Sequence, residues 1–219
     1  MNILFIGNSY TFYNDMPEMF EKLANDNGKN VTVYSVTKGG RKLVDYEVSD
    51  EETEKLQSVL DARRYDVCII QEQSILPASD YDAFIRGLDG VIKKVKDRAD
   101  RLVLYATWGR KHGSAVLDQH NWTTSSMTEL LSHSYFKAAE YFGTDVSAVG
   151  ESFLKVTKMS PDTELYNADL SHPSYDGSCL AALTHYYTLF GEFPENCDTL
   201  LIDSAKLSVF KSAVSGYSG

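Results

Sequence analysis

The sequence predicts an α/β protein in which one parallel sheet carries helices on both faces. Two observations lead to this class. Short apolar runs recur along the chain, and segments with apolar residues at helical spacing alternate with these runs to the end. Because parallel strands need a crossover connection, usually a helix, repeated strand–helix units indicate a parallel sheet with right-handed connections.

Several short segments have the composition of strands. Residues 3–6 form an apolar run without a polar break, which is typical of a strand buried on both faces. The other predicted strands, read from their apolar and β-branched residues, are residues 31–36, 67–70, 101–105 and 145–149. The predicted sheet therefore has about five strands.

Apolar residues at i, i+3, i+4 and i+7 predict a helix after the first strand, on residues 16–23. Further helical patterns lie around residues 56–60, 84–95, 127–142, 180–190 and 207–214. Ser49 and Glu52 have capping-box spacing ahead of the second helix, which predicts that Ser49 caps it. Residues 106–124 are largely polar and are interpreted as a long loop, and loops of this length are often functional.

Length and composition indicate one globular domain spanning residues 1–219. Apolar residues make up 43% of the chain, which is enough for a full core. The formal charge of −10 argues against binding to nucleic acid or to an anionic membrane, because both require a basic surface. No apolar stretch approaches the roughly 20 residues that a membrane span needs.

The three cysteines, Cys68, Cys179 and Cys197, have neither the pattern of a disulfide framework nor the spacing of a metal site. We therefore expect no metal. The N-terminus lacks a basic segment, and its apolar run leads directly into Gly-Asn-Ser, which is not the pattern of a signal peptide. We expect a cytoplasmic protein.

Small polar residues follow the first strand. Gly7 allows a tight turn, and Asn8, Ser9 and Thr11 come directly after it. In an open parallel sheet, ligands bind at the carboxyl ends of the strands. A hydroxyl group at this position is accessible, and neighbouring backbone N–H groups can face an anion. Ser9 is therefore a candidate functional residue.

Asp169 and His172 form a second candidate pair in a loop near the C-terminus. Pro173 follows His172 and disfavours the helical conformation for it. A turn between the two residues can bring the carboxylate to Nδ1–H of the imidazole ring. That contact would fix the tautomer and leave Nε2 free to accept a proton from a serine.

The order of these parts resembles the SGNH, or GDSL-like, hydrolase superfamily. Ser9, in Gly-Asn-Ser, matches the nucleophile block, with Asn8 where the family usually has aspartate. Gly40 matches the second block, and Asp169 and His172, in Asp-Leu-Ser-His-Pro, match the last block. The resemblance implies a three-layer α/β/α, flavodoxin-like fold. The variant blocks Gly-Asn-Ser-Tyr-Thr and Gln-Glu-Gln-Ser look like a bacterial branch of this superfamily.

The third block departs from the family pattern. The family has Gly-x-Asn-Asp, and here the third strand ends in Gln71-Glu-Gln73-Ser. Gln73 falls where the asparagine would be and keeps an amide donor on a stem one methylene longer. It is also a candidate for capping the strand against neighbouring backbone. Residues expected near the substrate pocket are Asn8, Gly39, Gln71 and Trp108. Trp108 and Trp122 fit either the floor of that pocket or the core.

The resemblance implies a serine esterase that hydrolyses small acyl esters through an acyl-enzyme on Ser9. His172 would act as the base and Asp169 as its orienting partner, because serine is a weak nucleophile without a base. The backbone N–H groups of Ser9 and Gly40 and the Gln73 amide would form the oxyanion hole. No cofactor is implied. O-acetyl groups on carbohydrate are the expected substrates, with short-chain lipid esters and thioesters as further options.

Two other functions fit the sequence. One is a flavodoxin-like protein whose 8–11 loop binds a phosphate or flavin through N–H and hydroxyl groups. This function leaves Asp169 and His172 without a role. The other is a protein of the SGNH fold that has lost catalysis and only binds sugar, an alternative that the departures at Gln71 and Gln73 keep open.

Overall fold

A parallel sheet forms the centre of the molecule in the computed structural model, which describes residues 1–215. The strands are β1 (Asn2–Gly7), β2 (Thr32–Thr37), β3 (Tyr65–Ile70), β4 (Ala99–Tyr105) and β5 (Asp145–Ser147). Their spatial order is β2-β1-β3-β4-β5, and every neighbouring pair is parallel. The predicted parallel sheet is confirmed, and its strand order is the flavodoxin-like one.

Helices cover both faces of the sheet. They are α1 (Ser9–Phe12), α2 (Met16–Asp26), α3 (Glu51–Ala62), α4 (Leu76–Ser79), α5 (Tyr81–Val95), α6 (Ala115–His120), α7 (Thr124–Phe142), α8 (Val149–Met159), α9 (Tyr175–Phe190) and α10 (Ser204–Ser215). Single 3₁₀ turns lie at Tyr13–Asp15, Leu43–Glu47 and Asp198–Leu200. No helix within residues 1–215 has the length and apolar content of a membrane span.

The alternation of side chains along β1 divides the core into two halves. Ile3 and Phe5 face α2, α8, α9 and α10, whereas Leu4 and Ile6 face α3, α5 and α7. All four side chains are fully buried. This two-sided burial explains the unbroken apolar run in the sequence and produces the predicted three-layer architecture.

Three sequence predictions differ from the structure in detail. Asp50, not Ser49, caps α3, because its carboxylate accepts a hydrogen bond from Thr53 N at 2.9 Å. The predicted loop at residues 106–124 contains the short helix α6. The predicted strand at residues 145–149 ends at Ser147, and Val149 instead begins helix α8, which the sequence patterns do not predict.

The first turn of helix α8 packs against the segment that follows β4. Gly150 donates its N–H to Ala106 O at 3.0 Å, and a Cβ atom at this position would lie 2.1 Å from the carbonyl oxygen of Thr107. Because the obstructing atoms belong to the backbone, the helix must move to accommodate a larger residue. Gly150 therefore determines how closely α8 packs against the segment after β4.

We predict that Gly150→Ala destabilises the protein by about 1–3 kcal/mol or more, the usual cost of overpacking a tight contact. Urea denaturation measures the change. Gly39→Ala is the matched control, since a Cβ atom there meets nothing within 4 Å, and its effect should stay within about 1 kcal/mol. Equal stabilities of the two variants would contradict the prediction.

Candidate active site

The candidate active site lies at the carboxyl edge of the sheet, where β1 has β2 on one side and β3 on the other. The chain order reverses at this point, which is the usual ligand position in such folds. A pocket of about 190 Å³ opens here. Its lining residues, contributed by five separate segments, are Asn8, Ser9, Tyr10, Gly40, Gln73, Ser74, Arg110, Ser171 and His172.

Ser9 is the first residue of α1, and Asn8 holds it in place. The Asn8 side chain accepts a hydrogen bond from Tyr10 N at 3.1 Å and donates one to Arg41 O at 3.0 Å. Asn8 N donates to Gln71 Oε1 at 2.9 Å. These bonds tie the turn after β1 to the ends of β2 and β3. Asn8 lines the pocket, as predicted, although only 2% of it is exposed.

The structure brings Ser9, His172 and Asp169 together. Ser9 Oγ lies 2.8 Å from His172 Nε2, and His172 Nδ1 lies 2.5 Å from Asp169 Oδ2. The second carboxylate oxygen, Oδ1, accepts backbone N–H bonds from Ser171 at 3.0 Å and His172 at 2.9 Å. Leu170 adopts a left-handed conformation (φ 61°), which closes the turn that the spacing predicted.

The environment of Asp169 favours its ionised form. Partial burial raises its pKa, but the hydrogen bonds from the His172 ring and from the two backbone N–H groups outweigh this effect, so the pKa lies below its usual value. An ionised Asp169 accepts a hydrogen bond from Nδ1–H of His172. The other ring nitrogen, which faces Ser9, is then the proton acceptor.

Two tyrosines that the sequence analysis did not single out hold the imidazole ring. Tyr13 stacks on His172 with ring centroids 4.2 Å apart and planes inclined by 10°. Tyr10 contacts the same ring at 5.4 Å, and its hydroxyl lies 3.0 Å from Ser171 Oγ. Both tyrosines follow Ser9 closely in the sequence, and this proximity is the feature that could have identified them as site residues.

The three residues of the predicted oxyanion hole, Ser9, Gly40 and Gln73, all line this pocket. Within residues 1–215, the backbone N–H groups of Ser9 and Gly40 have no protein acceptor. Gln73 Oε1 accepts N–H bonds from Ile75 at 2.9 Å and Leu76 at 3.1 Å. Since the oxygen is held by the loop, the group that Gln73 has left for the pocket is its Nε2 donor.

Three residues predicted near the substrate have other positions. Gln71 is 1% exposed and turns inward, where Oε1 accepts from Asn8 N and from Thr11 Oγ1 at 3.0 Å. Trp108 is fully buried between Tyr10 and Phe153, so it belongs to the core. Gly39 is exposed but lies outside the pocket lining. The sequence alone does not show whether a residue near a strand end lies in the core or lines the pocket.

Glu72 is a buried carboxylic acid directly behind the predicted oxyanion hole. Its Oε1 accepts N–H bonds from Leu43 at 3.0 Å and Gln73 at 2.6 Å, so one oxygen joins the loops that carry Gly40 and Gln73. Its Oε2 has no hydrogen-bond partner in residues 1–215. Burial is the main cause that raises the pKa of Glu72 to about 7; the N–H bonds from Gln73 and Leu43 oppose it, and the nearby charges of Asp45 and Lys42 act in opposite directions.

Comparison with known proteins gives structural relatives only. No protein-family model and no curated protein matches the sequence. A protein from Slackia heliotrinireducens assigned to the SGNH hydrolases is 29% identical, with a TM-score of 0.75 over 86% of this chain and 98% of that chain. An acetylxylan esterase from Geobacillus stearothermophilus is 12% identical, with a TM-score of 0.67 over 89% of this chain and 96% of that one.

A DUF4886 family protein from Bacteroides uniformis aligns over more of the chain. It is 17% identical, with a TM-score of 0.83 over 98% of this chain and 93% of that chain. Together these neighbours confirm the resemblance that the sequence blocks predicted and place the fold among hydrolases and esterases.

We predict that Glu72→Gln changes how stability depends on pH. A carboxyl group whose pKa is raised on folding binds more protons in the native state than in the unfolded chain, so stability falls as pH rises from about 4.5 to 7. Glutamine keeps the Oε1 acceptor and removes the charge. As the pH rises across this interval, the free energy of unfolding of the variant should therefore increase by about 3 kcal/mol relative to that of wild type.

Urea denaturation of both proteins at pH 4.5 and pH 8 measures this difference. Other titrating groups cancel in the comparison, because they are the same in the two proteins. A difference in stability that stays constant between the two pH values would contradict the ionisation of Glu72 in this range.

Proposed function

We propose that this chain, which has the fold of the SGNH hydrolases, is a serine esterase that hydrolyses small acyl esters through an acyl-enzyme on Ser9. The observation that carries the proposal is the hydrogen-bond chain from Ser9 Oγ through His172 to Asp169, with distances of 2.8 and 2.5 Å. Ser9 and His172 line a pocket to which Gly40 and Gln73 also contribute, and the N–H groups of Ser9 and Gly40 have no protein acceptor within residues 1–215. Nucleophile, base, orienting carboxylate and oxyanion donors are the parts that acyl transfer requires.

In the proposed mechanism, His172 Nε2 takes the proton from Ser9 Oγ as the oxygen attacks the ester carbonyl carbon. The negative charge that develops on the carbonyl oxygen is received by the N–H groups of Ser9 and Gly40 and by the Gln73 amide. When the intermediate collapses, His172 returns the proton to the leaving alcohol. A water molecule then attacks the acyl-enzyme by the same route, and the acid is released.

The size of the pocket supports a small acyl group. Its volume of about 190 Å³ is below the roughly 300–1,000 Å³ typical of sites for drug-sized ligands. An acetyl group fits this space, whereas a long acyl chain requires an extended apolar groove. Since structural neighbours include acetyl xylan esterases, we propose O-acetyl groups on carbohydrate as the substrates.

A phosphate or flavin site in the 8–11 loop has less support. The Thr11 hydroxyl is fully buried and donates to Gln71 Oε1, so it is not available to a ligand. The Asn8 amide is engaged with Arg41 O and Tyr10 N. The alternative of a sugar-binding protein without catalysis makes a different chemical prediction, because its serine would not be activated.

We predict that a fluorophosphonate probe labels Ser9 and that Ser9→Ala abolishes both labelling and ester hydrolysis. Peptide mass spectrometry locates the label, and release of p-nitrophenol from p-nitrophenyl acetate and of acetate from acetylated sugars measures turnover. Ser125→Ala is the control, since that hydroxyl lies on α7 and bonds to Glu129. An unlabelled, folded wild-type protein would favour the non-catalytic alternative, and a label elsewhere would remove Ser9 as nucleophile.

We predict that Gln73→Ala lowers kcat more than it raises KM, because an oxyanion donor acts mainly in the transition state. The expected loss in kcat is roughly tenfold to a thousandfold. Gln73→Glu is the companion variant: it keeps the oxygen that accepts from Ile75 N and Leu76 N but lacks the donor. If Gln73→Glu retained wild-type kcat, the side chain would have only the structural role of holding its loop.

A further inference from the structure

Arg110 places a positive charge in the wall of the candidate active site. It follows β4, lines the pocket together with Ser9 and His172, and is 8% exposed. Its Nη2 donates to Ser74 Oγ at 2.8 Å and its Nη1 donates to the Tyr10 hydroxyl. Neither partner is charged.

Within residues 1–215, Arg110 forms no ion pair. The two carboxylates of the site are already engaged, Asp169 with His172 and Glu72 with backbone N–H groups. The other buried arginine, Arg41, has the partner that Arg110 lacks: Asp50 accepts from both of its terminal nitrogens, at 2.8 and 2.9 Å.

A buried charge without an ionic partner destabilises the folded protein. The chain contains 31 acidic residues, so a carboxylate partner was available to it. The two hydroxyl groups that Arg110 bonds do not explain the charge, because a neutral donor would hold them equally well. The unpaired guanidinium therefore indicates that its partner is a group that enters the pocket.

The guanidinium group is also held rigidly. Tyr10, whose hydroxyl accepts a hydrogen bond from Nη1, stacks on the buried Trp108 with ring centroids 4.7 Å apart. The Arg110 guanidinium lies 5.4 Å from the Tyr10 ring centroid, and its backbone N–H donates to Met127 Sδ at 3.3 Å. A donor fixed before binding loses little conformational freedom when it receives a ligand, which favours specific recognition.

We propose that Arg110 binds a carboxylate of the substrate, so that the preferred esters carry a negative charge close to the scissile bond. This inference rests on the proposed esterase function and specifies its substrate class. Arginine binds carboxylates through charge-assisted hydrogen bonds. The carboxylate can belong to the acyl part, as in a half ester of a dicarboxylic acid, or to the alcohol part, as in an acetylated uronic acid.

Two matched substrate pairs test the proposal and distinguish its two forms. Monomethyl succinate against methyl pentanoate changes the charge of the acyl part. Acetylated methyl galactosiduronate, the methyl glycoside with a free carboxylate, against acetylated methyl galactoside changes the charge of the alcohol part. The measured quantity is the ratio of kcat/KM for the anionic ester to kcat/KM for its neutral partner, with turnover followed by pH-stat titration or by acetate release.

The ratio should exceed one for wild type in at least one pair and fall about 30-fold to 1,000-fold in Arg110→Met, as expected when one member of a buried charge pair is removed. Arg110→Lys should retain part of the preference and replaces the methionine variant if that variant does not fold. Lys111→Met is the matched control, because Lys111 pairs with Glu164 outside the pocket, and its ratio should remain that of wild type.

A wild-type ratio at or below one in both pairs, or an equal loss on charged and neutral esters in Arg110→Met, would overturn the proposal. Absence of turnover on all four esters would instead contradict the esterase function. In that case, calorimetry with methyl galactosiduronate and methyl galactoside decides about Arg110. Binding of the charged sugar that Arg110→Met abolishes would support the carboxylate site, and equal binding of both sugars would refute it.

Discussion

The geometry of the candidate site depends on one close contact between the ends of β1 and β3. The Gln71 side chain crosses to the turn after β1, where its Oε1 accepts hydrogen bonds from Asn8 N and Thr11 Oγ1. This approach is possible because Gly7 has no side chain: a Cβ atom there would lie 2.6 Å from Gln71 Oε1. Burial of the amide in this position makes the bonds costly to break, which keeps Ser9 at the head of α1.

The three consecutive residues after β3 make different contacts at this strand end. Gln71 supports the serine turn, Glu72 accepts N–H bonds from both oxyanion loops, and Gln73 lines the pocket. Each of these side chains therefore has its own partners, although all three follow one strand. The departure from the family's usual third block is compatible with this arrangement, because Gln73 still lines the pocket.

The sequence predicted the Ser9 and Asp169–His172 positions well because each depends on local geometry. Ser9 follows an apolar strand and a glycine turn, and Asp169 reaches His172 through a four-residue turn. The sequence does not decide whether Trp108 lies in the core or in the pocket, because an aromatic residue after a strand fits both positions. Arg110 was not singled out, since its position among Tyr10, Ser74 and the pocket results from contacts between segments distant in the chain.

The α/β class, the approximate strands and the candidate reactive residues at the strand ends could be predicted from the sequence. These follow from hydrophobic periodicity and from short-range turn chemistry, which act over a few residues. Which strand-end residues meet depends on the fold: Gln71 turns into the core, Gln73 lines the pocket, and Arg110 lines the same pocket as His172 without an acidic partner in residues 1–215. Those outcomes depend on packing and on the pairing of buried charges, and both are properties of the folded chain as a whole.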